Sequence, residues 1–532
     1  MDYSTGKLAF IFVVAVALSV AGAWVLARRY RVAMRALMMS APLGIASSAA
    51  RAAPVPSIAL APAVAVTEAG NRRTAWRLSA VAIALSGLIA TSAAVLQLVT
   101  MFPGDPFSVR RAALLALVHL WPAIPALGVV WRWSRWRLAA TLAFWFLLCL
   151  AVIVWGSINP MPLQVLGFLG LEIGPPLLVM AGLCLGDATR AIAPWLLPPL
   201  VGFVWASVAG IDLLGLVIRD RPLWLLALPS WLGPSAVMAL FVVLPWVLAW
   251  WPLKWFARGL ARAYAHKVLA ELSMLFTAVW AISLFYQALG AASDLGAGGA
   301  VMLLPLGWIV LALLLSRWLR RSAGRPPTLL VLRVYRRDAE VQQLFDSVIE
   351  RWRLTGNTVL IAGTDLADRT LGADKIFTFL QRRLGTLFIR EPADVAARLA
   401  GFDFERDDDG RYRINECFCH DTTWQDALAA LVQRSDLVLM DLRGFQAHNA
   451  GCLHELAVLA GAARIRRVVV LADAETDRAV AHAAGAGAPA DRFVWVDASR
   501  VGRRLTGIVL HQLFLGLAPN PAAHPRAQAL AP

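Results

Sequence analysis

Charge is what this sequence has least of. Only 16% of its 532 residues are Asp, Glu, Lys or Arg, while 59% are hydrophobic, a balance too apolar for a soluble protein of this length. Acids are scarcest in the first part. Residues 1–325 hold 9 Asp/Glu against 25 Lys/Arg, a balance of +16; residues 326–516 hold 25 against 24, a balance of −1; Arg526 completes the net +16. The basic excess behind the pI of about 10.6 therefore belongs to the apolar part, where arginines flanking apolar runs act as topology signals. The near-neutral polar part argues against nucleic acid as a partner. Cysteine is also scarce: Cys149, Cys184, Cys417, Cys419 and Cys452 make an odd, scattered set. Such a set argues against a disulfide framework and fits a reducing compartment for the polar part.

What is present is a series of apolar runs. The first, Leu8 to Ala27, is long enough to cross a bilayer as a helix. Its basic cluster (Arg28, Arg29, Arg31, Arg35) follows it, the wrong order for a cleaved signal peptide. Residues 1–27 are therefore expected to be a retained anchor and residues 28–77 a flexible cytoplasmic linker rich in Ala and Pro. Within 78–325 further spans are expected at about 78–100, 112–131, 138–157, 163–185, 192–218, 232–253, 268–290 and 300–316, nine in all with the first. The stretch 192–231 is interrupted by Pro198, Pro199 and Pro222 and leaves a re-entrant piece open. An odd number of spans puts the chain ends on opposite sides. Arg132, Arg135, Arg137, Lys254, Arg258, Arg262, Lys267, Arg317, Arg320 and Arg321 then fall inside, which predicts an external N-terminus and a cytoplasmic C-terminal domain. The expected setting is a bacterial inner (plasma) membrane, with the lipid bilayer as partner. Nineteen of the 22 tryptophans lie in this part, as interfacial belts require. Two acids fall well inside expected spans, Glu172 in GLEIGPP and Asp212 in GIDLLG. Intramembrane acids are functional candidates by default, against the plainer reading that each hydrogen-bonds to a neighbouring helix.

After Arg325-Pro326-Pro327 the composition changes. Strand patterns at Thr328–Tyr335, Thr358–Ala362, Leu387–Ile389, Leu437–Leu442, Arg467–Ala472 and Phe493–Val496 alternate with helical ones. Phe402 to Cys417 reads as a hairpin around the turn Asp407–Gly410. Strands alternating with helices predict a parallel sheet, so residues 326–516 are expected to form an α/β Rossmann-like, flavodoxin-like domain behind a polytopic α-helical membrane domain. Residues 517–532 are expected to be a disordered tail.

Residues 328 to about 475 carry a further pattern. A first strand runs into a polar loop with Arg336, Arg337 and Asp338. A second ends in Gly363, Thr364 and Asp365. A helix leads into Ser435-Asp436 and the strand LVLMDL, followed by GCLHEL at Gly451–Leu456. In this order and shape the region resembles the TIR domain and the nucleoside 2-deoxyribosyltransferase family, with Gly451 where the WCxxEL helix has Trp and with an unusual insertion at residues 384–420. The resemblance implies that Glu455 is the catalytic residue and that NAD or another nucleotide is the substrate, with no cofactor. It implies ligand binding by Arg336, Asp338, Gly363, Thr364 and Asp365, ribose contact by Asp441, and self-association through the domain. Arg333, Arg336 and Lys375 are the expected phosphate partners, and Trp424 is weighed as a stacking platform. A carboxylate at Glu455 suits the chemistry, because breaking an N-glycosidic bond develops oxocarbenium character that a carboxylate stabilises or attacks. Plainer readings stand beside these. Glu455 early in a helix is favoured by the dipole, Asp441 caps a turn, and Trp424 is core. A zinc site from Cys417, Cys419, His420, His448, Cys452 and His454 has no established ligand spacing, so no metal is expected. Three functions follow: a membrane-anchored nucleotide glycohydrolase or effector, a non-catalytic assembly module, and a transporter or channel with a regulatory domain.

Overall fold

The computed structural model describes residues 5–39, 61–102, 104, 106–131, 133–156, 161–184, 187–220, 233–319, 324–333, 339–362, 372–420 and 422–518. The chain divides into two compact units, one of residues 1–30, 79–319 and 371–377, the other of residues 31–78, 320–370 and 378–532.

The first unit is helical. Its elements are α1 (Thr5–Met39) up to residue 30, α2 (Glu68–Met101) from residue 79, α3 (Val109–His119), α4 (Ala123–Val130), α5 (Arg135–Gly156), α6 (Pro162–Cys184), α7 (Asp187–Asp220), α8 (Pro234–Ala265), α9 (Glu271–Leu295), a 3-10 stretch Gly296–Leu306 and α10 (Gly307–Leu319), the remainders of α1 and α2 belonging to the second unit. Eight helices among the described residues are long and apolar enough to cross a membrane. The expected span 112–131 is not one helix. It breaks at Leu120–Pro122 into α3 and α4, because Pro122 brings no backbone N–H and its ring disfavours a helical residue before it. In α9 more than half of the apolar stretch is enclosed, 56% against 6% in α5, with Trp280, Ile282 and Leu284 fully buried. Trp136, Trp155 and Leu163 instead stand 86%, 92% and 83% exposed, an outward apolar surface of the sort that lipid covers.

Helices α7 and α8 approach closely at Gly210, where a Cβ would lie 2.4 Å from the Phe241 carbonyl oxygen and 2.6 Å from Pro245 Cγ. Small residues at such crossings let helix backbones come near one another. Gly210→Val should therefore lower the melting temperature of the full chain in detergent, by an overpacking cost of about 1–3 kcal/mol. Gly215→Val on the same helix, where a Cβ meets nothing within 4 Å, should leave it unchanged.

The second unit holds one sheet of seven strands in the order β3-β4-β2-β1-β5-β6-β7, with every pairing parallel. The strands are β1 (Thr328–Arg333), β2 (Asn357–Ala362), β3 (Phe388–Ile389), β4 (Ile414–Cys419), β5 (Leu437–Asp441), β6 (Arg467–Ala472) and β7 (Phe493–Asp497). Between and after them run α11 (Ala339–Trp352), α12 (Ala373–Leu380), α13 (Asp394–Ala400), α14 (Trp424–Arg434), α15 (Ala450–Gly461), α16 (Arg478–Ala484) and α17 (Arg503–Leu517). Parallel strands covered on both faces read as continuous apolar runs, and β5 is buried at all five positions. Alternation along the strands assigns the faces. Leu330, Leu332, Val438, Met440, Val468 and Val470 pack with Leu428, Leu431, Leu456 and Leu459 of α14 and α15. On the other face α11 meets α17, where the Trp352 and Phe514 rings lie 5.7 Å apart.

Two expectations change here. The segment 402–417 is no hairpin of the sheet. It makes a single antiparallel bridge, Arg406 to Tyr412, while β4 joins β2 in parallel. Arginine–carboxylate pairs hold the turn in place of a ladder: Arg411 Nε to Asp409 at 2.8 Å and Arg413 Nε to Asp407 at 2.9 Å. The end of the expected linker is also structured. Helix α2 begins at Glu68, and the buried Asn71 donates to the Arg351 carbonyl at 2.7 Å and to Thr355 Oγ1 at 3.2 Å. Its amide thereby adds a donor to a carbonyl at the end of α11 that also accepts the Leu354 N–H, at 3.4 Å.

Candidate functional site

The sheet defines where a ligand site belongs. From β1 the chain moves outward through β2 to β3 and β4, then returns to the opposite side of β1 to lay down β5, β6 and β7. In open α/β sheets the crevice beyond the carboxyl ends of the strands at this reversal takes the ligand. Here that point lies between β1 and β5, whose last residues, Arg333 and Asp441, are register partners. Residues 334–338 and 363–371 follow β1 and β2. Arg336, Asp338, Gly363, Thr364 and Asp365, expected to bind ligand, lie outside the described residues. Lys375 is buried on α12, in a segment that groups with the helical unit.

Asp441 is buried, and both of its oxygens are taken by Arg443, with Nε donating to Oδ1 at 2.9 Å and Nη2 to Oδ2 at 2.8 Å. The Arg443 backbone N–H adds a 3.2 Å bond to Oδ1. Asp441 therefore closes the turn leaving β5. The loop that follows is stitched to the loop after β6. Gly444 N–H donates to Asp473 Oδ1 at 3.0 Å, Thr476 Oγ1 donates to the Leu442 carbonyl at 2.9 Å, and Gln446 Nε2 donates to the Glu475 carbonyl at 2.7 Å. Phe445 plugs the core beneath at 0% exposure. This framework delivers the start of α15.

Glu455 sits in the second turn of α15. The residue is half-buried, but its Oε2 is shut off from solvent and has no hydrogen-bond partner. Burial pushes its carboxyl up to about 7. One turn earlier, burial pushes the Cys452 thiol up to about 12, helped by the charges of Glu455 and Asp441, so these three groups share one low-dielectric neighbourhood. Cys417, inside β4, is pushed up to about 12 as well, mainly by burial. Because the thiolate is the reactive form, Cys417 and Cys452 should resist iodoacetamide at neutral pH in the folded chain and react on denaturation, as read by mass spectrometry.

Gly451, exposed at the start of α15, has Trp424 as its neighbour. A Cβ on Gly451 would touch Trp424 Cη2 at 4.0 Å, and Trp424 from α14 meets the His454 ring edge-on at 5.5 Å. The partly buried indole also packs against the core of the α/β unit. The sequence points to His454 only as one of the zinc ligands weighed above and does not point to Arg443 at all. Among the described residues, no group of three or more His, Cys, Asp or Glu is gathered to hold a metal.

In the helical unit the two expected acids lie in separate groups. Asp212 pairs with Lys7 of α1 at 2.5 Å. Glu172 Oε1 lies 3.7 Å from His119 Nδ1, a partner that a search for intramembrane acids passes over. Comparison with family models, with curated proteins and with solved structures finds no match.

Proposed function

We propose that the chain is an integral membrane protein, with its N-terminus outside and its α/β domain in the cytoplasm of a bacterial cell. On this reading the domain binds a nucleotide such as NAD and cleaves its N-glycosidic bond, acting as a signalling effector that assembles through copies of itself. The observation that carries this reading is Glu455, a half-buried carboxyl whose Oε2 is shut off from water without a partner and which burial pushes up to about 7. A buried carboxyl oxygen with no structural bond to make is a functional candidate on physical grounds. In the reaction the bond from ribose C1′ to the base nitrogen breaks, and its electron pair leaves with the base. The ionised Glu455 stabilises the developing oxocarbenium charge or attacks C1′. Water then supplies the hydroxyl at C1′, and a carboxylate with a pKa near neutrality is matched to take up the proton. Trp424 neighbours the start of α15 and offers a face for a base.

The test is turnover of NAD by the full chain in liposomes, at densities that allow copies to associate. The expected result is release of the base by the native protein and its loss in Glu455→Gln. A folded native protein that releases no base from any nucleotide tried overturns the enzyme reading and leaves assembly as the function of the domain.

A further inference from the structure

The nucleotide reading leaves unused a buried polar cluster within the helical unit. His119, the last residue of α3, is 2% exposed among apolar helices. Its Nε2 lies 2.8 Å from Gln97 Oε1, its Nδ1 lies 2.9 Å from Gln287 Nε2, and Glu172 Oε1 stands 3.7 Å from the same Nδ1. The bonds fix the imidazole's state. Gln97 Oε1 can only accept, so Nε2 carries the hydrogen; Gln287 Nε2 can only donate, so Nδ1 presents its lone pair. Gln287 Oε1 is then left buried with no partner. The cluster thus holds an unused acceptor and a carboxylate oxygen, both beside the one ring nitrogen that lacks a proton.

The helix carrying Glu172 runs on through this turn with two of its ladder donors missing. Pro175 and Pro176 lie inside α6, so the carbonyls of Leu171 and Glu172 lose their helical N–H donors. Tyr286 of α9 replaces the first, its hydroxyl donating to the Leu171 carbonyl at 2.7 Å. An ionisable group inside an apolar helix is a functional candidate. Of the other titratable groups on the helices packed against α6, Arg135 and Arg137 lie in the first turn of α5, and Arg190 and Arg219 in the first and last turns of α7. Cys149 of α5 lies in the apolar cluster with Leu169 and Ile173, and Asp212 of α7 is paired with Lys7. Arg110 and Arg111 stand at the opposite end of α3, and Glu271 and Asp294 at the two ends of α9.

We infer that His119 and Glu172 form a proton-exchange site in the helical unit. A proton from water binds His119 Nδ1, and the imidazolium is held by the Glu172 carboxylate and, once its amide turns over, by Gln287 Oε1. Charge balances within the site, since a neutral ring beside a carboxylate becomes a cation–anion pair. The site is independent of the nucleotide chemistry in the other unit.

The test is solid-state NMR of the full chain in lipid bilayers with isotope-labelled histidine, the His119 signal being assigned by its absence in His119→Gln. In the native protein the signal should be a neutral, Nε2-protonated ring at alkaline pH and an imidazolium at acidic pH. The imidazolium signal should be lost in Glu172→Gln, return in Glu172→Asp, and be untouched in Asp212→Asn. A His119 that stays neutral throughout the range in which the native chain is folded overturns the inference, as does an imidazolium that persists in Glu172→Gln. Should Glu172→Gln fail to fold, the native titration and Glu172→Asp decide by the same two signals.

Discussion

Glu455→Gln should silence nucleotide cleavage and, at the same time, make the protein more stable above neutrality. Both effects come from one property. The carboxyl is pushed up from an ordinary value of 4.5 to about 7 because burial disfavours its charge, and its Oε2 has no donor to compensate. The native state therefore holds this proton more tightly than the unfolded chain does. The stability that follows is fully present below the unfolded value and is lost as pH rises through the folded one, so between about 4.5 and 7 the native protein weakens. The loss amounts to about 3 kcal/mol at most, from the size of the displacement. Gln keeps the shape and removes the charge, so thermal unfolding of the full chain should be similar in both proteins at pH ~4 and favour the variant at pH ~8. Cleavage runs the other way. It needs the carboxylate, so the native rate should climb with pH around 7, and the variant should lose about two or more orders of magnitude across the range. A stabilised, inactive variant is the signature of a site that gives up stability for chemistry. A destabilised one would mean that Glu455 makes a structural bond after all.

How much of this was legible beforehand depended on which physical signal each feature sends. The strands of the α/β unit were plain because a parallel sheet buried on both faces needs unbroken apolar runs, and Leu437–Asp441 and Arg467–Ala472 are such runs. The break between α3 and α4 was missed because hydropathy is continuous across Trp121-Pro122 and only the missing N–H interrupts the helix. The segment 402–417 alternates as a hairpin does, but its turn is held by side-chain ion pairs that no periodicity encodes. At the site, Glu455 stood out through its place in GCLHEL; its lack of any partner is a three-dimensional fact. Arg443 lies two residues beyond Asp441, and nothing in that spacing says that it takes both carboxylate oxygens. His119 was passed over because a lone histidine in an apolar run is usually a satisfied core residue. Gln97 and Gln287, which make it otherwise, come from helices far away in sequence.

Asp436→Ala should cost the α/β unit about 3–5 kcal/mol, the range for removing one member of a buried charge pair. Asp436 is 3% exposed and sits just before β5. Its Oδ2 accepts from the Thr328 N–H at 2.9 Å, its Oδ1 accepts from Arg325 and, at 3.5 Å, from Arg464. Its backbone N–H donates to the Thr328 carbonyl at 2.9 Å. One side chain therefore ties the starts of β1 and β5, the two central strands whose far ends frame the candidate site. Without it, two guanidinium groups lose the anion between them: the Arg464 side chain is already held below its usual pKa by burial and by Arg325. The expected outcome is a drop in the unfolding midpoint of the α/β unit together with faster proteolysis within residues 324–518, while the helical unit keeps its own transition. Arg464→Ala is the internal control. Its side chain is a quarter exposed at the longer distance, so its loss should cost about 1 kcal/mol or less. Equal effects of the two substitutions would mean that the pairing of β1 with β5 rests on the strands' apolar packing alone, and that Asp436 only neutralises the cations around it.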